Sequence, residues 1–353
     1  MRVPRVAPAP GRVNDACRCR RRDVSCDAVA EEPILIAGAG ALGSVLGGLL
    51  ARAGHSVTLL GRAPHLDAIA RDGLVIDGLF GEHRVRGLAC VTDSRALARP
   101  FRVVFMTVKA FDTSAMAAEI APRLAPDGVL VSLQNGLGNV EAGTRAVGAA
   151  RVLGGRVIFG AEIVRPGHAR VTVFADPVLI GPPDPRDARL GVVAAAWAAA
   201  LDAAGVPASA TERIVATLWE KVLYSAALNP LGALRGLTYG ELAADPDGRA
   251  VMDRVIAEAF AVARAEGVAL GWPDDAAYRA VFYGRLVPST ASHRSSMLQD
   301  LERGRRTEID AICGAVAARG AGRGVAAPAN QALTQLVHAR ERNAHREAEA
   351  CSR

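Results

Sequence analysis

The sequence contains few aromatic residues and no long uninterrupted apolar run, and each shortage excludes a class of partner. Aromatic side chains make up 4% of the 353 residues, and the basic residues behind the net charge of +6 are spread along the chain. Nucleic-acid binding usually requires a concentrated basic stripe with aromatic residues between the basic ones. Charged residues interrupt every apolar stretch well before the ~18 residues that a membrane-spanning helix needs. We therefore expect neither a nucleic-acid partner nor a membrane partner.

Cysteine is also scarce, and its spacing is irregular. The six cysteines are Cys17, Cys19, Cys26, Cys90, Cys313 and Cys351. A chain that is long enough to bury a large core does not need disulfide bonds. The three cysteines near the start have no fourth ligand at the spacing of a zinc site. The sequence therefore predicts no metal site and a protein of the reducing cytoplasm.

The beginning and the end of the chain differ from the rest. Residues 1–32 lack the apolar segment of a secretory signal peptide, and their five acidic residues argue against an organelle transit peptide. We interpret this segment as a disordered arm or as the product of a misassigned start codon. The remaining length suits two domains, and the charged residues 341–353 are predicted to form a tail.

A regular alternation of strands and helices begins at Pro33. The apolar run Pro33–Ala37 is typical of a buried parallel strand, and a helix to about Ala53 and a strand at Ser56–Leu60 follow it. Further strands are predicted at Val85–Val91, Arg102–Val108, Val129–Leu133 and Val152–Phe159. The alternation predicts an α/β fold with a Rossmann-type, doubly wound parallel sheet over residues 33–207.

The pattern becomes helical after about residue 207, with glycine and proline at the turns. Helices are predicted at Thr211–Leu234, Asp247–Glu266, Asp274–Tyr283, Ser295–Leu301, Glu308–Ala318 and Pro328–Ala339. We therefore predict an all-α C-terminal domain over residues 208–340.

A glycine motif joins the first strand to the first helix. Its six residues are Gly38, Ala39, Gly40, Ala41, Leu42 and Gly43. In this context the first glycine permits a tight turn, the second lets the backbone approach a pyrophosphate, and the third lets helix and strand pack closely. The helix N-terminus then faces the anion. The motif predicts a binding site for a nicotinamide dinucleotide.

The end of the second strand distinguishes NAD from NADP. NAD sites usually carry an acidic residue there, which binds the ribose 2′-hydroxyl. This chain has Arg62 instead, and the first carboxylate after the strand is Asp67. Because an arginine can pair with a 2′-phosphate, we predict NADP(H) as the cofactor. An exposed Arg62 with a purely structural role is the alternative.

Only two of the 42 lysine and arginine residues are lysines, Lys109 and Lys221. A buried lysine, unlike an arginine, can lose and regain a proton at accessible pH and can serve as a general acid; chance survival is the alternative. Lys109 and Asn135 each follow a predicted strand, which places both at the carboxyl edge of the sheet, where ligands bind.

Lys221 lies on the first long helix of the second domain, and Ser225 and Asn229 follow on the same face at intervals of four residues. This polar stripe in an apolar helix predicts a functional cleft, although each residue alone is more typical of a cap or a solvated position. Ser296 and Glu308 stand at predicted helix starts. Capping by a serine and attraction of the acid to the helix dipole are the alternatives there.

Taken together, these residues resemble the ketopantoate reductase family from about Pro33 to Ala339. The markers are the glycine motif, Val108-Lys109-Ala110, Asn135-Gly136, the Lys221 helix ending in Asn229-Pro230-Leu231, and the run Ser296–Asp300 followed by Thr307-Glu308. The resemblance implies an NADPH-dependent oxidoreductase that reduces 2-dehydropantoate (ketopantoate) to D-pantoate in pantothenate and coenzyme A synthesis.

The resemblance also implies roles for individual residues. The residues implied to bind the cofactor are the glycine motif, Arg62, Lys109, Asn135, Ala161 and Glu308. Those implied to bind the 2-oxo acid are Asn135, Lys221, Ser225, Asn229 and Ser296. Lys221 is implied to donate a proton, with Glu308 beside it in catalysis. Asp300 matches a family aspartate for which we predict no chemical step.

The sequence departs from the family where the polar end of the substrate is implied to bind. Ser225 and Tyr239 stand where the family usually has asparagines. Two alternatives therefore stay open: a reductase of another 2-oxo acid on the same scaffold, and a non-catalytic NADP(H)-binding sensor. The sequence also leaves open whether the protein forms a homodimer.

Overall fold

The computed structural model describes residues 32–98 and 100–351, with side chains up to residue 343. The prediction of a disordered arm therefore lies outside the described residues except at Glu32, whose carboxylate pairs with Arg102 at 3.1 Å. Within the described ranges, ten strands form one sheet. They are β1 Ile34–Ala37, β2 Val57–Leu60, β3 Leu74–Gly78, β4 His83–Val85, β5 Ala89–Val91, β6 Phe101–Met106, β7 Leu124–Ser132, β8 Val152–Arg165, β9 His168–Gly181 and β10 Ala208–Ala210.

The helices lie between these strands and in the C-terminal part of the chain. They are α1 Ala41–Arg52, α2 Ala63–Asp72, α3 Thr113–Ile120, α4 Asn139–Val147, α5 Ala188–Ala203, α6 Ile214–Arg235, α7 Tyr239–Ala244, α8 Pro246–Ala265, α9 Asp275–Val281, α10 Val287–Ser289, α11 Ser296–Glu302, α12 Cys313–Gly322 and α13 Pro328–Cys351. Among the described residues, none of these helices has both the length and the apolar composition needed to cross a membrane.

The strand order across the sheet is β4-β3-β9-β8-β7-β6-β1-β2-β5, with β10 beside β9. The strands from β8 to β5 in this order all pair in parallel, which confirms the predicted Rossmann architecture. Two antiparallel pairs, β8 with β9 and β3 with β4, extend it. The predicted strand Val85–Val91 is not one strand: Val85 ends β4, Gly87 adopts φ +74°, which is outside the extended region, and β5 begins at Ala89.

The first strand shows how the sequence supplies a core to each face of the sheet. All four residues of β1 are fully buried, and successive side chains of a strand point to opposite faces. Ile34 and Ile36 join a cluster with residues of α1 and α5, while Leu35 and Ala37 join a second cluster with residues of α3. A continuous apolar run is therefore what a strand covered by helices on both faces requires.

The helical part of the chain packs around α6, most of which is buried. Pro230 lies inside this helix and has no N–H to donate to the carbonyl of Ala226. That carbonyl accepts a hydrogen bond from the Cys313 thiol at 3.6 Å instead. The helix ends at Gly236, whose φ of +70° suits a residue without a side chain.

The observed elements cross both predicted boundaries of the helical domain. β10 joins the sheet just after the boundary expected at residue 207. At the other end α13 continues through Cys351, so residues 341–351 of the predicted tail are helical. The short helix α7 has no counterpart among the predicted helices.

Candidate active site

The glycine motif forms the turn between β1 and α1, and close packing explains two of its three glycines. Gly38 has φ +112°, and a Cβ there would lie 2.5 Å from the backbone nitrogen of Val108. A Cβ on Gly43 would clash with the carbonyl oxygen of Gly38. The same oxygen accepts a hydrogen bond from Thr107 Oγ1 at 2.8 Å. These glycines are therefore required by the fold itself.

Gly40 differs, because among the described residues, its two chain neighbours aside, no atom lies within 4 Å of the place where its Cβ would be. It is exposed, precedes α1, and has ordinary backbone angles of φ −84° and ψ −159°. The first N–H groups of a helix have no partner within the helix and attract anions. The open space beside Gly40 thus fits a dinucleotide pyrophosphate, and packing gives no other reason for a glycine there.

The remaining residues of the motif complete the same surface. Ala39 is buried and lies against Gly61 at the end of β2, where a Cβ on Gly61 would come within 2.9 Å of the Ala39 Cβ. Ala41 and Leu42 are partly buried in the first turn of α1. The backbone after β2 therefore passes close to the motif.

Arg62 follows at this edge and is exposed at the start of α2. Within the described part of the chain, its guanidinium has no hydrogen-bond or ion-pair partner, whereas other exposed arginines such as Arg71 and Arg95 pair with neighbouring carboxylates. Arg62 is thus an exposed cation, unpaired among the described residues, that directly follows the Gly61 backbone lying against Ala39 of the motif.

Four predicted residues form one continuous network across the boundary between sheet and helices. Lys109 Nζ lies 3.5 Å from Glu308 Oε2. That oxygen accepts a hydrogen bond from Asn135 Nδ2 at 3.1 Å, and Asn135 Oδ1 accepts one from Lys221 Nζ at 2.6 Å. The two lysines of the chain are therefore connected through one carboxylate and one amide.

The elements around the network hold each member in place. The backbone N–H of Ala110 donates to Glu308 Oε1 at 3.0 Å, and the carbonyl of Val157 on β8 accepts from Lys221 Nζ at 2.6 Å. The turn after Asn135 approaches the 3₁₀ turn at Ile309–Ala311 so closely that a Cβ on Gly136 would clash with the Ala311 carbonyl. The site is thus preorganised by backbone groups from both parts of the chain.

The two lysines have different electrostatic environments. Burial lowers the pKa of Lys221 to about 8; Glu308 opposes this shift and Arg156 adds to it. Burial also acts to lower the pKa of Lys109, but the carboxylates of Glu308 and Asp300 outweigh it and raise that pKa above its ordinary value. Lys109 is therefore a permanent cation, whereas Lys221 can exchange a proton near neutral pH.

Asp300 is a member of the site for which sequence analysis predicted no step. Its Oδ2 accepts a hydrogen bond from Lys109 Nζ at 2.7 Å, and its side chain is only 9% exposed. The signal in the sequence was its place in the run Ser296–Asp300, but only the fold shows that its partner lies 191 residues away.

Ser225 and Asn229 lie on the predicted face of α6, and both are buried. The Ser225 hydroxyl donates to the carbonyl of Lys221 at 2.9 Å. Asn229 Oδ1 accepts from the Tyr239 hydroxyl at 2.7 Å. Tyr239, which stands where the resemblance implies an asparagine, is therefore the hydrogen-bond partner of the Asn229 amide oxygen.

Ser296 and Ala161 lie outside the network in the described structure. Ser296 is exposed at the first position of α11, and the N-cap is Ser295, which accepts a hydrogen bond from the Leu298 N–H at 3.1 Å. Capping therefore does not explain Ser296. Ala161 is partly buried on β8, four residues beyond Val157, and pairs with β9.

Two family models match the chain. One is described as ketopantoate reductase PanE/ApbA and matches residues 34–185, and the other is described as ketopantoate reductase PanE/ApbA C terminal and matches residues 213–341. The two matched segments contain the glycine motif and the network residues Lys109, Asn135, Lys221 and Glu308.

Relatives of this chain agree with the family models. Proteins named 2-dehydropantoate 2-reductase from Aquifex aeolicus and Halobacterium salinarum are 35% and 34% identical, over 87% and 88% of this chain and 96% and 99% of their own lengths. The structure of a PanE/ApbA family ketopantoate reductase from Ralstonia eutropha superposes with a TM-score of 0.79 at 35% sequence identity. The structure of D-mandelate dehydrogenase with NADH and anilino(oxo)acetate superposes with a TM-score of 0.79 at 26% identity. Each comparison covers 89% of this chain and 99% of the other chain. The chain therefore belongs to the ketopantoate reductase family.

Proposed function

We propose that this protein is an NADPH-dependent 2-dehydropantoate 2-reductase, which converts ketopantoate to D-pantoate with Lys221 as the proton donor. Membership of the family makes the chain an oxidoreductase that acts on a CH–OH group. The observation that carries the finer proposal is the Lys221 ammonium, fixed between Asn135 Oδ1 and the Val157 carbonyl, each at 2.6 Å, with a pKa lowered to about 8.

The bound reduced nicotinamide supplies the hydride that reduces C2 of the 2-oxo acid. Negative charge then develops on the C2 oxygen, and the Lys221 ammonium stabilises this charge and transfers one of its protons to the oxygen. The neutral amine that remains regains a proton from solvent, so that each turnover consumes one proton.

Glu308 and Asn135 support this transfer. The carboxylate favours the charged form of Lys221 and so opposes the effect of burial. The Asn135 amide is held from both ends, because its Nδ2 donates to Glu308 and its Oδ1 accepts from Lys221. The orientation of the Lys221 ammonium is thereby fixed, while one of its N–H groups stays available to transfer a proton. Asn135 and Lys221 also serve as substrate ligands, together with Ser225, Asn229 and Ser296.

The choice of NADPH rests on Arg62. A free guanidinium beside the glycine motif suits the 2′-phosphate, with which it can form charge-assisted hydrogen bonds. The cofactor ligands in this proposal are the six residues of the glycine motif with Arg62, Lys109, Asn135, Ala161 and Glu308.

The contacts of Ser225 and Tyr239 favour a second candidate, the reduction of a different 2-oxo acid. Both hydroxyl groups donate to protein acceptors, and the Tyr239 ring packs edge-on against Tyr224 and His293. This corner offers fewer free donors to a terminal hydroxyl group than two asparagines would. D-mandelate dehydrogenase, with its bound anilino(oxo)acetate, has a similar fold.

Steady-state oxidation of NADPH with three substrates separates the candidates. The substrates are ketopantoate, its analogue without the terminal hydroxyl group, and phenylglyoxylate. We expect the highest kcat/KM with ketopantoate. A higher value with either of the others would assign the second candidate, and no turnover with any 2-oxo acid, despite NADPH binding, would contradict the reductase proposal.

A further inference from the structure

Asp300 is placed in the ion-pair network but has no part in the reaction as proposed above. Lys109 Nζ is shared unequally between two carboxylates, at 2.7 Å from Asp300 Oδ2 and 3.5 Å from Glu308 Oε2. Both carboxylates are more than nine-tenths buried, whereas the Lys109 side chain is 40% exposed. Asp300 is therefore the principal partner of Lys109.

The unequal sharing matters because Glu308 has a second task. The same Oε2 that faces Lys109 accepts the hydrogen bond from Asn135 Nδ2, and among the described residues Asn135 is the hydrogen-bonded link from Glu308 to Lys221. A bond from an ammonium to a carboxylate is stronger than one from a neutral amide. If Lys109 had no other carboxylate, it would compete with Asn135 for this oxygen.

We propose that Asp300 is a positioning residue for proton transfer. By holding Lys109, it leaves the Glu308 carboxylate free to accept from Asn135, and so keeps the hydrogen bond between Asn135 and Lys221 in place. This inference rests on the proposed role of Lys221 as the proton donor. Asp300 touches neither Lys221 nor Asn135 through any contact of the described residues, and it acts through Lys109 and Glu308.

The charges around the two lysines give the sign of the expected effect. Lys221 faces the negative Glu308 from the segment before α12 and the positive Arg156 from β8. Lys109 faces Glu308 and Asp300. Without Asp300, the Lys109 ammonium neutralises Glu308 more fully, and the charged form of Lys221 loses its favourable carboxylate. The pKa of Lys221 then falls further below its ordinary value.

The test is the basic limb of the pH profile of kcat, the fall in kcat at high pH that occurs as Lys221 loses its proton. In Asp300→Asn we expect this limb of kcat to move to lower pH by roughly one unit and kcat to fall roughly tenfold or more. Asp300→Glu should restore part of both. Asp310→Asn is the matched control, because it removes the same charge from a 46% exposed carboxylate nearby that pairs with Arg306. Its profile should not move.

A second measurement separates positioning from a general loss of structure. In a Lys109→Gln background, Asp300→Asn should not move the basic limb further, because the residue through which Asp300 acts is gone. An unchanged limb in Asp300→Asn, or an equal shift in both backgrounds, would overturn the inference. If instead the limb of the unmodified enzyme persists in Lys221→Met, it is the role of Lys221 as proton donor that fails, and this inference fails with it.

Discussion

The exchange Lys221→Arg separates two properties of the Lys221 ammonium, its fixed positive charge and its ability to give up a proton. Arginine keeps the charge, but a guanidinium is a very poor acid. In the structure Nζ lies between two acceptors, Asn135 Oδ1 and the Val157 carbonyl, each at 2.6 Å. A longer, planar group cannot place one nitrogen at that point without displacing the acceptors. Both effects act against proton transfer.

The expected fall in kcat follows from the rate enhancement that a positioned general acid provides. General-acid catalysis typically contributes ~10²–10⁴-fold, so we expect kcat to fall ~10²-fold or more in both Lys221→Arg and Lys221→Met. The lowered pKa of Lys221 also predicts the pH dependence of the unmodified enzyme. Activity requires the protonated form, so it is present below a pH of about 8 and falls about tenfold for each further unit.

The assay is NADPH oxidation with ketopantoate on both sides of that pH, with a fluorescence titration of NADPH binding. Binding should change little, because Lys221 is not among the residues proposed to bind the cofactor. Arg235→Lys, the reverse exchange at the exposed end of α6, is the control and should leave kcat unchanged. Near-normal turnover of Lys221→Arg would refute the reasoning and would leave Lys221 as an electrostatic anchor, with the proton coming from elsewhere.

The cofactor site provides two further predictions. Arg62→Ala should weaken NADPH binding by roughly 1.5–3 kcal/mol and leave NADH binding nearly unchanged. The control Arg71→Ala, on the same helix but paired with Asp72, should affect the binding of neither cofactor. Equal losses for both cofactors in Arg62→Ala would show that Arg62 does not bind the 2′-phosphate. Gly40→Ala should keep the melting temperature and weaken NADPH binding, because its Cβ meets only the open space, whereas Gly43→Ala should destabilise the fold by roughly 1–3 kcal/mol. A large drop in the melting temperature of Gly40→Ala would mean that packing, not the cofactor, requires this glycine.

The parts of the site that sequence analysis predicted are those with a local signal. The glycine motif is contiguous and follows a continuous apolar strand, so both the turn and its place at the sheet edge could be predicted. Lys221, Ser225 and Asn229 repeat at the spacing of one helix face, and the structure places all three on α6. Lys109 and Asn135 follow neighbouring parallel strands, whose carboxyl ends meet at one edge.

The parts that were missed depend on contacts between distant segments. The bond of Asp300 to Lys109 joins residues 191 positions apart, and no spacing within the sequence encodes such a pair. β9 was also missed, although buried Ala169 and Val171 alternate with exposed Arg170 and Thr172 at its start, and its pairing with β8 shows several register shifts. Ser295 and Ser296 illustrate the limit within a local motif, since either serine is a typical cap and only the geometry identifies Ser295 as the N-cap.

The scarcity of lysine has a physical explanation in the structure, because both lysines make contacts between the sheet part and the helical part of the chain. Lys109 belongs to the sheet and is held by Asp300 and Glu308 of the helical part, while Lys221 belongs to a helix and is held by Asn135 and Val157 of the sheet part. Each ammonium is a compact charge with three donors, which suits several acceptors that converge from different elements. The same contacts that orient the proposed proton donor thus also join the two parts of the chain. A substitution in the network should therefore disturb turnover and the docking of the two parts together, whereas one at Arg62 or Gly40 should affect the cofactor alone.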